Sequence, residues 1–384
     1  MSDTRLSFAS PERFLAGLNE WVALESPTSD ADAVNRLMDK AAADCEGAGA
    51  LVERVPGTLG RGDHLVVRAP WNAASNERGI MLLGHLDTVH PVGSIAKNPI
   101  RTEGGRAYGP GINDMKAGSH ACFAALRALL EAGRTTPLPV TIVYVSDEEV
   151  GSQSSEPLIV AEAKRAKYVL VLEAGRGGGR VVTSRKGVAR FDLAVQGVPA
   201  HSGSAHRNGR SALKELAHQI IALEGMTDYA RGVTVSVGMA SGGTASNVVS
   251  EHATASIDLR VPTLADAEEM VARVQALVPV TPDTTLSITG GMNRFPYTKQ
   301  ERPDVAALFD HARGLASEIG FTLEDLPTGE GSGGSDGQFC IPYAAVLDGL
   351  GPFGGGSHTH GEWLDIDSIT PRGTLLLHLL QTLR

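Results

Sequence analysis

Apolar residues in the first half of the chain follow the spacings of alternating helices and strands. In the segment 11–23, Phe14, Leu18 and Trp21 recur three or four residues apart behind a potential cap at Ser10, which predicts an amphipathic helix. Similar spacing predicts helices at 32–46, 119–132 and 156–166, and apolar runs predict buried strands at 64–70, 79–85, 138–149 and 167–175. This alternation is typical of an α/β fold with a mainly parallel sheet flanked by helices.

The pattern changes near Ser184, where apolar and polar residues begin to alternate with a period of two. This alternation predicts strands at 187–197, 233–242, 253–262 and 284–292, with helices at 210–226 and 264–277. The order of strand, helix, two strands, helix and strand is a split β-α-β arrangement. Helical patterns at 304–319 and 369–383 and a strand at 344–349 then return to the first type. We therefore predict one domain formed by 1–186 and 294–384, with 187–293 inserted into it.

Composition excludes several classes of partner. A chain of 384 residues with 42% hydrophobic and 20% charged residues is typical of a soluble globular protein with two domains. The formal net charge of -10 argues against nucleic acid and against an anionic membrane as partners. Cys45, Cys122 and Cys340 form no CxxC pair, which favours buried thiols in a reducing compartment. The N-terminal residues lack the features of a secretory signal and no apolar run could cross a bilayer, so we expect a cytoplasmic protein.

Imidazole and carboxylate side chains follow the predicted strands of the first domain. They are His85 and Asp87, Asp147 to Glu149, Glu173, Asp114 in a Gly/Pro-rich loop, and His358 with His360 near the end. Because ligands of α/β sheets gather at the carboxyl ends of strands, we expect several of these groups to meet there. Crowded carboxylates raise one another's pKa, and a bound cation removes that conflict. Imidazole and carboxylate ligands suit zinc, with cobalt or manganese as alternatives, in a hydrolytic site.

Five short motifs carry a resemblance to a known family. They are GHLDTV (84–89), GPGINDMKAG (109–118), DEEVGS (147–152), VLEAG (171–175) and SHTHGEW (357–363). In order and approximate spacing they resemble the metal-site motifs of the dinuclear-zinc acetylornithine deacetylase / succinyl-diaminopimelate desuccinylase / carboxypeptidase family, and most resemble its folate-cleaving glutamate carboxypeptidase branch. The resemblance implies a zinc exopeptidase-like catalytic domain, a ferredoxin-like inserted lid and dimerisation domain of α+β type, and a homodimer formed through that insertion.

The resemblance also implies a set of protein ligands for two zinc ions per chain. His85 and Glu173 would hold one ion, Glu149 and His358 the other, and Asp114 would bridge both. The histidine at 358 is assigned by the family spacing His-x-x-x-Glu, which Glu362 completes, whereas His360 does not fit that spacing. Three protein ligands on each ion would leave an open position for water, and two ions close together lower the pKa of that water.

Further residues of the same motifs receive roles around the metal. Asp87 follows His85 by two residues, so on an extended segment it can accept the imidazole N–H and orient the ring. Glu148 and Glu149 would point to opposite sides of an extended chain, and the resemblance makes Glu148 the general base. The Asn113–Asp114 peptide bond resembles one that is cis in relatives. His90 has no role in the pattern, and we interpret it as a surface residue.

The insertion and the loop that follows it supply candidate substrate contacts. In GVPAHSGSAHRNGRSA, His201 resembles a histidine that stabilises the oxyanion, supplied in dimeric relatives by the partner subunit. Asn247 and Arg260 match the family, and Arg260 can bind a substrate carboxylate or simply form a salt bridge on the sheet. The loop 331–334 can offer backbone N–H groups, and we include Gly333 and Ser335 as substrate-binding residues. Ser335 also satisfies G-x-S-x-G, but no buried strand precedes it as a serine nucleophile requires.

These residues favour zinc-dependent hydrolysis of an amide bond next to a free carboxylate. Within that class we favour a glutamate carboxypeptidase-like exopeptidase acting on a small substrate. The alternative is an N-acyl amino-acid deacylase or desuccinylase of the same family. A non-catalytic relative that binds carboxylates is a weaker hypothesis, because the ligand set and Glu148 are all present.

Overall fold

The secondary structure follows the hydrophobic periodicity closely. The computed structural model describes residues 5–71, 76–327 and 333–384. Its α-helices are α1 (Pro11–Val22), α2 (Ala31–Gly47), α3 (Ala117–Glu131), α4 (Glu156–Lys164), α5 (Ala212–Glu224), α6 (Leu264–Gln275), α7 (Pro303–Ile319), α8 (Gly337–Cys340) and α9 (Ile369–Thr382). Ser10 caps α1 by accepting a hydrogen bond from the backbone N–H of Arg13, and Asp30, Ser211 and Thr263 cap α2, α5 and α6 in the same way.

The strands divide the chain into two types of sheet. They are β1 (Leu51–Val55), β2 (His64–Arg68), β3 (Gly79–His85), β4 (Arg101–Glu103), β5 (Arg106–Tyr108), β6 (Val140–Val145), β7 (Ala166–Val171), β8 (Ser184–Arg185), β9 (Gly187–Gln196), β10 (Ala200–His201), β11 (Thr234–Gly242), β12 (Val248–Val249), β13 (His252–Val261), β14 (Thr285–Arg294), β15 (Tyr297–Thr298), β16 (Ala345–Leu347), β17 (Gly354–Gly355) and β18 (Trp363–Asp365). The predicted α/β fold is confirmed. The sequence analysis missed the short strands β1, β4, β5, β8, β10, β12, β15, β17 and β18, because strands of two or three residues and exposed strands carry little periodicity.

A six-stranded sheet forms the centre of the first compact unit, which comprises the described residues up to 183, 299–327 and 335–384. Its order is β1-β2-β6-β3-β7-β16, in which β6, β3, β7 and β16 are parallel to one another and β2 is antiparallel to both of its neighbours, β1 and β6. The register sets His85, the last residue of β3, opposite Val145, the last residue of β6. Parallel strands therefore end together at one edge of this sheet.

The interior of this unit is apolar, but it also contains an unpaired imidazole. Leu82 and Ile142 of the central strands are fully buried, as every residue of β3 is. His120 on α3 lies among Phe14, Trp21 and Phe123, and neither of its ring nitrogens has a hydrogen-bond partner among the described residues. Burial lowers the pKa of His120 to about 3, so the ring stays neutral.

The second compact unit comprises Ser184–Thr298 with Gly333 and Gly334 of the described residues. Its four-stranded antiparallel sheet has the order β11-β13-β9-β14, with α5 and α6 packed on its buried face. Alternate residues of β9, including Phe191, Leu193 and Val195, point into that core, while their neighbours are exposed. This is the split β-α-β arrangement that the period-two pattern predicts.

The three cysteines are buried, as their spacing in the sequence favours. Cys45, Cys122 and Cys340 are free and buried, and burial raises the pKa of all three thiols. Within the described ranges, no helix has the length and apolar character needed to span a membrane.

Candidate metal centre

The carboxyl ends of the parallel strands bring together side chains from distant parts of the chain. His85 ends β3, Glu149 lies just after β6, and Glu173 lies two residues after β7. Asp114 comes from the turn before α3, and His358 from the loop between β17 and β18. We refer to these five residues as the rim cluster. The sheet register explains three of them, and the other two are added by loops.

Asp114 lies at the centre of the rim cluster and faces two groups of ligands. Its Oδ1 atom is 3.4 Å from His85 Nε2, which is 3.7 Å from Glu173 Oε1. Its Oδ2 atom is 3.3 Å from His358 Nε2, which is in turn 3.3 Å from Glu149 Oε2. Each carboxylate oxygen of Asp114 thus faces one imidazole, and each imidazole faces one glutamate. His358 and His360 are both exposed, but among the described residues only His358 is recorded in contact with Asp114 and Glu149.

Several observations show that the rim cluster fits a metal ion. Ligand atoms of His85, Asp114 and Glu149 all lie within 4.8 Å of one another. The atoms His85 Nε2 and Glu149 Oε1 are buried without a hydrogen-bond partner among the described residues. Two ligands at about 2.0–2.1 Å from a tetrahedral zinc ion are separated by roughly 3.3–3.4 Å. The spacings around Asp114 match this separation and exceed the usual length of a hydrogen bond.

The electrostatics of the rim cluster are those of crowded anions around two imidazoles. Burial, together with the charge of Asp114, raises the pKa of Glu173 to about 8. Contacts with Asp114 and Glu149 raise the pKa of His358 to about 10. Burial would raise the pKa of Asp114, but its contacts with His358 and His85 outweigh burial and hold that pKa far below its usual range. Positive charge is therefore stabilised at this position.

Asp87 organises both His85 and the segment that carries the two glutamates. His85 Nδ1 lies 2.9 Å from the backbone carbonyl oxygen of Asp87 and 3.4 Å from its carboxylate, so the carbonyl is the nearer acceptor. The proton therefore belongs on Nδ1, which leaves Nε2 free to bind a metal. The carboxylate of Asp87 accepts from Thr28 Oγ1 at 2.7 Å and from the backbone N–H groups of Glu148 and Glu149 at 3.3 Å.

The expectation of an extended backbone at Glu148 and Glu149 is wrong. These residues form a 3₁₀ turn, Glu148–Val150, that closes on Gly151. The turn places both backbone N–H groups toward Asp87, which an extended chain could not do. The two side chains still separate, because Glu149 joins the rim cluster and the side chain of Glu148 is half-buried beside it in sequence.

Two further expectations, one about the loop before α3 and one about His90, are corrected by the structure. The cis peptide bond joins Asp114 to Met115, not Asn113 to Asp114. With Asn113–Asp114 trans, the backbone N–H groups of both residues donate to the same oxygen of Glu362, at 2.8 and 2.9 Å. His90 is not a surface residue, since only 6% of it is exposed and its Nε2 lies 2.7 Å from the other oxygen of Glu362.

His90 and Glu362 are the principal residues of this region that the motifs did not explain. The signal was present in part, because Glu362 completes the His-x-x-x-Glu spacing that identified His358. Its partner could not be found from sequence, since the contact joins residues 272 positions apart.

The predicted site residues of the second unit form hydrogen bonds or salt bridges with residues of that same unit. His201 is exposed, and its Nδ1 accepts from the backbone N–H groups of Gly203 and Ser204 at 3.1 and 3.2 Å. The backbone carbonyl of Asn247 accepts from Ser202, while its side chain is exposed. Arg260 on β13 forms a two-point contact with Asp258 at 2.7 and 3.0 Å, which is the salt bridge that the sequence left open.

The Gly-rich loop is described only in part. Residues 331 and 332 lie outside the described residues, and the carbonyl of Gly333 accepts from Arg185 at 2.7 Å. Ser335 is fully buried, and its backbone N–H donates to Gln338 at 3.1 Å. A nucleophilic serine on a strand-to-helix elbow has an exposed hydroxyl, so burial argues against that alternative. A substrate contact for Gly333 or Ser335 stays a prediction.

Comparison with known proteins places this geometry in a family. The sequence pattern of the peptidase family M20/M25/M40 matches residues 81–382, which include the whole rim cluster. The chain belongs to this family. It is 29% identical over 375 residues to carboxypeptidase G2 of Pseudomonas sp. (strain RS-16), covering 95% of this chain and 88% of that protein. It is also 26% identical over 293 residues to a succinyl-diaminopimelate desuccinylase of Burkholderia ambifaria, covering 73% and 75% of the two chains.

Solved structures support the same fold. The M20 family metallo-carboxypeptidase Sso-CP2 of Sulfolobus solfataricus superimposes with a TM-score of 0.72 over 96% of this chain and 98% of that one, at 15% identity. The resemblance to the dinuclear-zinc family is confirmed by the family match. The chain is therefore a metal-dependent hydrolase of the M20 peptidase family, acting as an exopeptidase or amidohydrolase on small peptide or amide substrates.

Proposed function

We propose that this protein is a glutamate carboxypeptidase-like exopeptidase that uses two zinc ions to hydrolyse an amide bond beside a free carboxylate. The observation that carries the proposal is the two-sided arrangement of Asp114 between His85 with Glu173 and His358 with Glu149. Similarity to carboxypeptidase G2 over nearly the whole chain supports the exopeptidase reaction. Cobalt or manganese suits the same ligands.

The rim cluster would hold the two ions, with Asp114 shared between them. When bound, the metal supplies Lewis-acid activation of water and of the scissile carbonyl. The carboxylate of Glu148 accepts a proton from the attacking water and then delivers that proton to the leaving nitrogen. Its backbone N–H is fixed by Asp87, which aims the turn that carries it. The single-residue offset between Glu148 and Glu149 thus separates proton transfer from metal binding.

His201 supplies a hydrogen bond to the oxyanion in this proposal. Because its Nδ1 accepts two backbone hydrogen bonds, the neutral ring carries its proton on Nε2, where it is available to an acceptor. The histidine acts within its own chain or from the partner of a homodimer formed through the inserted unit. Asn247, Arg260, Gly333 and Ser335 bind the substrate carboxylate.

An N-acyl amino-acid deacylase or desuccinylase activity is the second candidate. It is favoured by the similarity to a succinyl-diaminopimelate desuccinylase over 73% of this chain. Both reactions cleave an amide beside a carboxylate, so the same residues serve each of them.

Metal analysis and a substrate panel test the proposal. We expect about two zinc ions per chain after dialysis against zinc, and hydrolysis of folates or of dipeptides with a C-terminal glutamate. Faster turnover of N-succinyl-diaminopimelate or N-acetyl amino acids would replace the first candidate by the second. A protein that binds a carboxylated ligand but hydrolyses none of the panel, with or without zinc or cobalt, would contradict both.

A further inference from the structure

Glu362 is a buried carboxylate whose two oxygens are fully used by donors. Its side chain has no exposed surface. One oxygen accepts from the backbone N–H groups of Asn113 and Asp114 at 2.8 and 2.9 Å. The other accepts from His90 Nε2 at 2.7 Å and from the backbone N–H of Gly111 at 2.8 Å. Among the described residues, three backbone N–H groups and the imidazole of His90 thus surround this carboxylate.

The four donors tie together three segments, each of which carries a rim-cluster residue. His90 follows His85 by five residues on the loop after β3. Gly111, Asn113 and Asp114 belong to one turn, and Asp114 is the residue at the centre of the cluster. Glu362 itself follows His358 by four residues, so a single carboxylate connects the carriers of His85, Asp114 and His358.

Additional hydrogen bonds lock the same three segments. Asn98 donates its side-chain amide to the backbone carbonyl of Glu362 at 2.9 Å. Asn113 donates its side-chain amide to Ser357 Oγ at 2.8 Å, next to His358 in sequence. Gly111 has a φ of 71°, and a Cβ atom there would lie 2.4 Å from Thr88 Cγ2, so only glycine allows the turn to approach in this way.

Because its oxygens are saturated with hydrogen bonds, Glu362 is poorly placed to bind a metal itself. We infer that Glu362 is a positioning residue, which holds the segments bearing His85, Asp114 and His358 in a metal-ready arrangement. This inference rests on the proposed metal function. Residues that orient metal ligands typically change metal affinity by 10–100-fold when they are mutated.

The substitution Glu362→Gln removes the charge with almost no change in size. The amide retains only one oxygen, so its NH₂ group must face two of the four donors. The matched control is Glu215→Gln in the second unit. Glu215 is also fully buried and accepts from the backbone N–H groups of Val280 and Thr281 and from Gln219, but it adjoins no rim-cluster residue in sequence.

The test is a titration of the full-length, chelator-treated protein with Co²⁺, followed by visible absorption, with thermal unfolding of the same samples before metal is added. We expect Glu362→Gln to bind Co²⁺ about 10–100-fold more weakly than wild type and to show a changed cobalt spectrum. Glu215→Gln should lose thermal stability but keep the wild-type affinity and spectrum. Wild-type affinity and spectrum in Glu362→Gln, or equal weakening in Glu215→Gln, would overturn the inference.

A second variant decides the matter if Glu362→Gln does not fold. His90→Leu removes one donor and leaves the three backbone donors in place. We expect it to weaken Co²⁺ binding by a smaller factor than Glu362→Gln, and unchanged binding would count against the inference. Failure of the wild-type protein to bind Co²⁺ would refute the metal function and the inference together. Two bound ions without hydrolysis of any panel substrate would refute the proposed reaction alone.

Discussion

The rim cluster of the first unit and the predicted residues of the second unit differ in how they are held. Every rim-cluster residue faces another member of the cluster, and His85 and Glu149 keep buried atoms without a hydrogen-bond partner among the described residues. In the second unit, His201 is held by the backbone of its own turn and Arg260 by Asp258 on its own strand. One region converges on a common point, and the other presents separately anchored groups.

The difference follows from the two kinds of sheet. Parallel strands end at one edge, so residues that follow β3, β6 and β7 must meet whatever their separation in sequence. In the antiparallel sheet, successive strands end at opposite edges, and each side chain finds its partner on the same face. The contacts within one chain are therefore enough to identify the rim cluster as a candidate metal site. The role of the predicted residues of the second unit depends on a bound substrate that contacts them.

The largest effect is expected at Glu148, which tests whether the rim separates proton transfer from metal binding. Glu148→Ala should lower kcat by about 10²–10⁴-fold, the usual contribution of a general base. Metal content should stay near the wild-type value, because Glu149 is the glutamate of this turn that belongs to the rim cluster, where it faces His358. Steady-state kinetics and elemental analysis of the same preparation measure both quantities. Full activity in this variant would remove Glu148 from the reaction.

His201 tests whether the second unit takes part in the chemistry at all. His201→Ala should lower kcat by about 10²–10³-fold, as the loss of one oxyanion donor does, without changing metal content. His206→Ala is the control, because His206 is an exposed histidine of the same segment. Equal and small effects of the two substitutions would reduce His201 to a surface residue.

The sequence predicted the rim better than it predicted the contacts that support it. Apolar runs located β3, β6 and β7. Motif spacing selected His358 over His360, and it is His358 that lies beside Asp114 in the structure. The burial of His90 could not be predicted, because it depends on a pairing across 272 positions. The 3₁₀ turn at Glu148–Val150 was also missed, since the apolar pattern of a strand does not show at which residue the strand ends and a helical turn begins.

In the second unit, the limits of prediction are different. The period-two pattern gave the strands and the face of each residue, and Asp258 lies two positions from Arg260 on the same face. The pattern could not show that the two side chains pair, because each is also free to contact solvent or substrate. The pattern also does not show the contacts of His201, although its two backbone donors follow it within three residues.

Substitutions of His358 and of His360 form a matched pair that tests which histidine belongs to the rim cluster. His358→Ala removes an imidazole that faces both Asp114 and Glu149, so metal affinity should fall by at least about 10²-fold, more than for a residue that only orients a ligand. His360→Ala should leave metal binding unchanged, because among the described residues the contacts with Asp114 and Glu149 are made by His358. Competition with a chromophoric chelator measures both affinities, and the reverse order would exchange the roles of the two residues.

The smallest effect is expected at Arg260, a residue of the second unit that is a candidate for substrate binding and also forms a salt bridge on its own strand. If Arg260 binds the substrate carboxylate, Arg260→Ala should raise KM by about tenfold or more, the value of a charged hydrogen bond, with little change in kcat. Asp258→Ala removes the salt-bridge partner but leaves the guanidinium, so KM should stay constant or fall as Arg260 is released. A purely structural salt bridge predicts instead that both substitutions have the same effect, because an exposed pair contributes only about 0–1 kcal/mol to stability and nothing to recognition. Initial rates over a range of substrate concentrations for the two single variants and the double variant distinguish these cases. A recognition role predicts a raised KM in Arg260→Ala and in the double variant but not in Asp258→Ala, whereas a structural pair predicts the same KM in all three variants.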